Sequence, residues 1–376
     1  MNLADLQTPS LILDRGILAR NATAMTARAR ELGVKLRPHM KTAKSMDVAR
    51  MAIDGNFGGI TVSTLAEAEY FFSRGLRDIV YAVGITPNKL DRAGALIRQG
   101  CSLTLMTDDA AIAAAITEKG RAMGLTIAVL IEIDCGEHRA GLAPGSDELL
   151  AIAKILNDGP GTALKGVLTH AGHSYACRTV DEMAAVAEDE RLSAALAGVR
   201  LHAAGLPVPI VSVGSTPTAL HAKTLKGVSE LRAGVYMFGD LFQAGIGSCR
   251  REDIAVSVLA SVTGHRPDSG TLLIDAGALA LSKDRSTESL KQDMGFGLVV
   301  DENGRDAFDG LIVNRVYQEH GLIEGADEAA FAALPIGARV RILPNHSCLT
   351  AAMYDEYHVV DGGTEVTARW PRANGW

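Results

Sequence analysis

Two short stretches of this sequence place polar groups where chemistry is the simplest reason for them. Residues 37–45 read RPHMKTAKS, directly after the apolar-leaning run ELGVKL, so His39, Lys41 and Lys44 stand just past a segment with strand character. A lysine at a strand end usually projects into solvent, but in a pocket its amine becomes a nucleophile for a carbonyl. Residues 344–351 read PNHSCLTA, with His346 and Cys348 two apart. On an extended segment that spacing sends both side chains the same way. Imidazole with thiolate is a soft pair suited to zinc. Two ligands leave the remaining positions to water, substrate or a distant residue, which suits catalysis better than structure. The ordinary alternative for a bare H-x-C is a buried cysteine beside a capping histidine.

Three further stretches join them. VGSTPT (213–218) offers a tight turn at Gly214 and the hydroxyls of Ser215, Thr216 and Thr218 beside backbone N–H groups, as phosphate-binding turns do. GEHRAG carries Arg139, and THAGHSY carries His170, His173 and Tyr175. YQEHG (317–321) adds Glu319 and His320, as a local ion pair or as support for another group, and KQDMGFG (291–297) reads only as a loop.

The elements that must position these residues follow from the hydrophobic pattern. Short β-rich runs alternate with alanine-rich helical stretches between residues 15 and 245. The strand candidates are 34–39, 59–64, 78–83, 102–107, 126–134, 165–171, 208–214 and 227–234. They read as continuous apolar runs, as strands covered on both faces do. The stretches between them carry Ala, Leu, Glu and Arg at helical spacing and end on Gly or near Pro. Eight such units match a TIM (β/α)8 barrel. A doubly wound open sheet is the competitor, but no GxGxxG turn follows the first strand. After about residue 250 the runs become β-branched and broken by Gly, Asp and Pro, as in an all-β domain. TPSLILD (8–14) has no place in a barrel and is expected to pair with that domain. The expected division is a barrel over 15–248 and a β-domain over 249–376 with residues 1–14.

Barrel sites lie at the C-terminal ends of the strands, with a phosphate site after strands seven and eight. His39, Lys41, Arg139, His170, Tyr175 and the GST turn all fall at such ends. There Lys41 could form a Schiff base with pyridoxal phosphate. Lys44 is expected in the first turn of the next helix, as a surface or supporting residue. Arg139 could face the cofactor ring, where a cation disfavours protonation of the pyridine nitrogen, or form a structural salt bridge.

Composition sets the outer limits. The 376 residues are 47% hydrophobic and 22% charged, with net charge −7 and pI about 5.8. That is ordinary globular material with ample chain for a core, and it argues against nucleic acid or an anionic membrane as partner. The five cysteines are odd in number and widely spaced, which fits a reducing compartment. The N-terminal residues lack the charge and apolar run of a signal peptide, and no stretch reaches about 18 apolar residues. A cytoplasmic protein is expected.

In this order, TPSLILD, LRPHMKTAKS, GITVSTLAEAE, EIDCGEHRAG, LTHAGHSY, VSVGSTPTAL, ELRAGVYMFGD, LLIDAG, QEHG and LPNHSC run through the sequence. Together they resemble the fold-type III pyridoxal-phosphate enzymes of the D-serine dehydratase and D-threonine aldolase family, over essentially the whole chain. The resemblance implies that Lys41 carries the cofactor. It also implies that Gly214, Ser215 and Thr216 with Tyr175 hold its phosphate, and that His39, Arg139, His170 and Tyr236 line the site. His346 and Cys348 would bind a divalent metal (Zn, Mn or Mg). Related aldolases carry an aspartate two residues after the metal-binding histidine; Cys348 at that position tilts the reading to the dehydratases. Alanine racemases share the fold but use a tyrosine base for which no match is found here.

The expected activity is therefore elimination of water from a D-3-hydroxy amino acid, such as D-threo-3-hydroxyaspartate or D-serine, giving a 2-oxo acid and ammonia. The alternative is aldol cleavage to glycine and an aldehyde. A second alternative is a non-catalytic pyridoxal-phosphate carrier, which would have no use for the C-terminal domain and its H-x-C pair. The resemblance also implies a homodimer acting on a small-molecule D-amino acid.

Overall fold

The computed structural model describes residues 1–376. Strand β1 (Ser10–Asp14) and helix α1 (Arg15–Glu31) open the chain. Eight parallel strands follow: β2 (Lys35–Leu36), β3 (Ile60–Val62), β4 (Asp78–Tyr81), β5 (Ser102–Thr107), β6 (Ile127–Ile133), β7 (Thr162–Thr169), β8 (Ile210–Val213) and β9 (Glu230–Leu231). Between them run α2 (Met46–Ile53), α3 (Leu65–Ser73), α4 (Leu90–Arg98), α5 (Ala110–Met123), α6 (Asp147–Asp158), α7 (Val180–Ala203) and α8 (Thr216–His221). All eight strands fall where the hydrophobic runs place them. The caps explain the helix limits. The Asp109 side chain accepts the Ile112 N–H at the start of α5, and Gly124 closes that helix at φ +64°. Thr179 and Glu182 form a reciprocal capping box on α7. Such caps satisfy N–H groups that a helix end leaves without partners.

The sheet order runs β2-β9-β8-β7-β6-β5-β4-β3, and it closes. His39 pairs with Thr61, the Met40 N–H donates to Thr61 O at 2.8 Å and the Thr61 N–H to Pro38 O at 2.9 Å. A closed parallel barrel has no free edge. Its interior holds an apolar layer of Val80, Met106, Leu130 and Leu168. Because alternate residues share a face, Glu132 points inward one layer nearer the C-terminal mouth than Leu130.

The remaining strands are β10 (Val256–Arg266), β11 (Thr271–Ile274), β12 (Leu298–Val300), β13 (Val313–Val316), β14 (Gly321–Glu324), β15 (Arg339–Leu343), β16 (Glu356–Val360) and β17 (Ala368–Pro371). They form a nine-stranded, mainly antiparallel sheet with β1 in its interior. β1 pairs antiparallel with β10 and parallel with β16. This domain is not purely β. It also carries the short helices α9 (Leu241–Gly245), α10 (Ala278–Leu281), α11 (Glu328–Ala333) and α12 (Ser347–Ala351), each too brief to leave a helical period in the sequence.

The chain divides into two compact units. One comprises Met1–Thr23, Ser45–Asp47 and Val235–Asn374; the other Ala24–Lys44, Val48–Gly234 and Gly375–Trp376. Bonds within the first unit join its separate segments. Asn21 Nδ2 donates to Met237 O and Asp253 O, at 3.1 and 2.8 Å. The Ala255 N–H donates to Phe238 O at 2.7 Å.

Candidate active site

At the C-terminal mouth of the barrel, Lys41 is exposed just past β2 and His39 is half-buried beneath it. A long bond of 3.4 Å runs from the Lys41 N–H to His39 Nδ1, and the His39 N–H donates to Ala233 O at 2.9 Å. A Cβ on Gly234 would stand 2.7 Å from His39 O, so only glycine lets the end of β9 pass so close. His170 follows β7, its Nδ1 2.9 Å from Gly214 O. A carbonyl can only accept, which puts the proton on Nδ1 and leaves the Nε2 lone pair free to accept. Both imidazoles are neutral. Burial lowers His39 well below the usual histidine range, and the charges of Lys41 and Arg232 push the same way. Burial and then Lys41 push His170 down to about 3, against the favourable bond to Gly214.

The GST turn is built differently from its sequence expectation. Gly214 sits at φ +132°, and a Cβ there would meet Arg232 N at 2.8 Å. It supplies conformation and space and no free donor, because its N–H is given to Glu190 Oε1 at 3.0 Å. The Ser215 N–H is likewise taken, by Thr218 Oγ1 at 3.0 Å, in a box that caps α8. What the turn presents is hydroxyl: Ser215 Oγ and Ser174 Oγ lie 2.8 Å apart, with Thr216 next in line. The Tyr175 ring lies 6.4 Å from that of His170, tilted 48°.

Below the mouth the barrel holds buried charge that the sequence reading passed over. Arg37 bonds Glu230 at 3.0 Å and Asp78 at 2.8 Å. Ser212 Oγ donates to Glu230 Oε1 at 2.8 Å, and Arg232 donates to Ser212 Oγ and to Thr169 O, both at 2.6 Å. Burial, then the Asp108 charge, raise the Glu132 carboxyl to about 6, while Arg139 and Arg232 oppose it. Arg139 itself is exposed, 3.4 Å from Glu137. The signal that could have found Glu132, Glu230 and Arg232 is a charged residue inside a strand of a fully covered sheet.

These groups fit a phosphate-bearing aldehyde. A primary amine stands beside two neutral imidazoles, with the fixed cations Arg139 and Arg232 near by. Hydroxyls cluster at the turn. Two buried polar atoms, Thr61 Oγ1 beside His39 and His173 Nδ1, have no protein partner. Lys44 separates from Lys41 as supporting structure. It lies in a turn at φ +49°, before α2 and not within it, and bonds the buried Glu67 at 3.1 Å.

The other cluster lies in the unit with the antiparallel sheet. His346 is the N-cap of α12 and Cys348 lies in its first turn, so helical and not extended geometry brings the two within hydrogen-bonding reach. His346 Nδ1 is 2.7 Å from Asp284 Oδ2. Against burial, which disfavours charge, the bonds to Asp284 and Cys348 raise His346 well above its usual range. The same bond to His346 holds Asp284 down at about 2. A carboxylate on Nδ1 orients the ring and turns Nε2 toward another partner, and an imidazole with a thiol is a donor set that fits a soft divalent ion with open positions. No set of three or more His, Cys, Asp or Glu side chains is arranged to hold an ion.

The surrounding bonds fix this geometry. The Ser347 N–H donates to the buried Asp240 at 3.1 Å, and Asn345 Nδ2 donates to Thr287 Oγ1 and Gly295 O, both at 2.7 Å. The loop 291–297 is thereby tied to the H-x-C segment. Asp284 lies too far from His346 in sequence for spacing to reveal it. Tyr236 is buried in this unit and its hydroxyl raised by that burial. Glu319 and His320 are exposed in the β13–β14 turn, away from this cluster's bonds.

Two protein families match the chain in succession. The alanine racemase N-terminal domain family matches residues 13–241, and the putative serine dehydratase domain family matches residues 255–360. D-threo-3-hydroxyaspartate dehydratase of Delftia sp. (strain HT23) is 48% identical over 383 residues, covering 100% of this chain and 99% of that protein. D-serine dehydratase of Dictyostelium discoideum is 33% identical, covering 100% and 98%. The solved Delftia structure superposes with a TM-score of 0.96 at 46% identity, covering 100% of both chains. A cysteine-to-alanine variant of D-threo-3-hydroxyaspartate dehydratase has been solved in a metal-free form.

Proposed function

The chain belongs to the family of alanine-racemase-fold lyases with a serine dehydratase C-terminal domain, and from that premise we propose that it eliminates water from D-3-hydroxy amino acids, D-threo-3-hydroxyaspartate foremost. The products are a 2-oxo acid and ammonia. The observation that carries the reading is the end-to-end match, at 48% identity, to a dehydratase of that substrate.

In this reading Lys41 anchors pyridoxal phosphate, with Ser215, Thr216, Tyr175 and the Gly214 turn at its phosphate and His39, Arg139, His170 and Tyr236 lining the site. His346 and Cys348 hold a divalent ion (Zn, Mn or Mg). When bound, the cofactor supplies an electron sink for the α-carbon, and the ion supplies a Lewis acid for the departing hydroxyl. The protein's own residues do the rest. Lys41 Nζ would be the base for the α-proton; it stands at the mouth among neutral imidazoles that do not compete for that proton. His170, with its proton fixed on Nδ1 by Gly214 O, presents an acceptor at Nε2. Asp284 fixes the face that His346 presents. The reading takes the protein as a cytoplasmic homodimer.

The test is a product assay on D-threo-3-hydroxyaspartate, D-serine and D-threonine, repeated after chelation and after return of each metal. Ammonia with a 2-oxo acid, lost on chelation and restored by an ion, is expected. Glycine with an aldehyde would make the protein an aldolase. Turnover indifferent to chelation would remove the metal role.

A further inference from the structure

Glu190 lies in the middle of α7, is 1% exposed, and takes no part in the reaction described above. Its Oε1 accepts two backbone N–H groups, from Ala171 and from Gly214, each at 3.0 Å. Ala171 follows His170 at the end of β7, and Gly214 precedes Ser215 at the end of β8. One carboxylate oxygen therefore ties together the two loops that present His170, Ser174, Ser215 and Thr216. The lacing is completed by His170 Nδ1 to Gly214 O and Ser174 Oγ to Ser215 Oγ, at 2.9 and 2.8 Å. A carboxylate at this place is unexpected. Next to a turn that is to receive a phosphate, a neutral acceptor would hold the same two N–H groups without repelling the ligand.

We propose that Glu190 is the positioning residue of the phosphate turn, setting its shape by holding the Ala171 and Gly214 N–H groups and its charge by standing beside the incoming phosphate. The inference rests on the assignment of the GST turn to the cofactor phosphate. Removing the acceptor orphans two buried N–H groups and lets the turn relax, a change costly in buried surroundings. Removing only the charge keeps the shape and lifts the repulsion.

The charges around Glu190 fix the sign of its pH dependence. It faces the Thr218 hydroxyl on α8, the Arg232 guanidinium after β9, the Cys135 thiol after β6 and the two N–H groups. Burial raises its carboxyl, against those hydrogen bonds and Arg232. A second anion near by raises it further. Phosphate binding then draws a proton onto the coupled pair, and affinity falls as pH rises through the interval between the free and bound titrations.

The experiment measures pyridoxal 5′-phosphate affinity of the full-length apoprotein by absorbance, from pH 6.5 to 8.5, for wild type, Glu190→Gln, Glu190→Ala and Ser215→Ala. Glu190→Ala is expected to weaken binding about tenfold or more, the equivalent of roughly 1.4 kcal/mol. Glu190→Gln is expected to bind more tightly than wild type by a factor that grows as pH rises, up to about tenfold, one such interaction. A merely structural glutamate would shift the melting temperature of the variants without separating their pH profiles. If Glu190→Ala binds as wild type, or Glu190→Gln follows the wild-type profile, the inference fails. Unchanged affinity in Ser215→Ala would instead sink the assignment of the turn, and the inference with it.

Discussion

Lys41 and Lys44 are separated by two residues and by their surroundings. Lys41 is exposed at a barrel mouth between imidazoles held neutral, whereas Lys44 is spent on Glu67, which is 1% exposed. Lys41→Ala is expected to abolish the visible absorbance of the cofactor-loaded protein with little change in the melting temperature. Lys44→Met should do the reverse. It leaves a buried carboxylate without its cation, at a cost of about 1–3 kcal/mol, and keeps the absorbance; urea unfolding and a spectrum of each variant decide between these outcomes. At this scale the sequence distinguished the lysines by position alone. It gave no sign of Glu67 as partner, since that contact crosses from the first strand's loop to a different helix.

Among the elements, β1 carries the most consequence for its length. Five residues fill the gap between β10 and β16, and Leu11, Ile12 and Leu13 are 1%, 0% and 0% exposed. Ile12 packs with Leu3, Leu6, Leu259 and Val360. Ile12→Ala is expected to destabilise the protein by about 2–5 kcal/mol, readable as a lower urea midpoint. The strand's distance in sequence from its neighbours makes the pairing costly in chain entropy, yet its apolar run, stranded before the first helix, already signalled that it belonged elsewhere. The H-x-C segment shows the opposite case. An H-x-C read as extended is a helix start, because the Ser347 N–H finds Asp240 and the Thr350 N–H finds His346 O.

For the molecule as a whole, the neutral histidines of the barrel govern behaviour in acid. His170, titrating near 3 when folded and near 6.5 when unfolded, binds fewer protons in the native state between those values. The unfolded state is then the better proton acceptor, so stability is fully present above about pH 6.5 and is lost as pH falls toward 3. His39 acts in the same sense. His170 is expected to remove about 1–2 kcal/mol between pH 6.5 and 5. Urea midpoints measured across that interval should fall in wild type and fall less in His170→Gln, which has no group to titrate there.

From the sequence alone came the eight strand runs, the change of texture near residue 250, and the placement of Lys41, Arg139, His170 and the GST turn at strand ends. These are legible because period and composition are local properties, and because a barrel puts every strand's C-terminal end at one mouth. The tertiary structure alone decided which donors those residues still offer. Gly214 has given its N–H to Glu190, Ser215 has given its own to Thr218, and Asp284 has taken one nitrogen of His346. Hydrogen-bond capacity is finite and is shared with partners far away in the chain, so what a site residue can do is fixed only when its neighbours arrive.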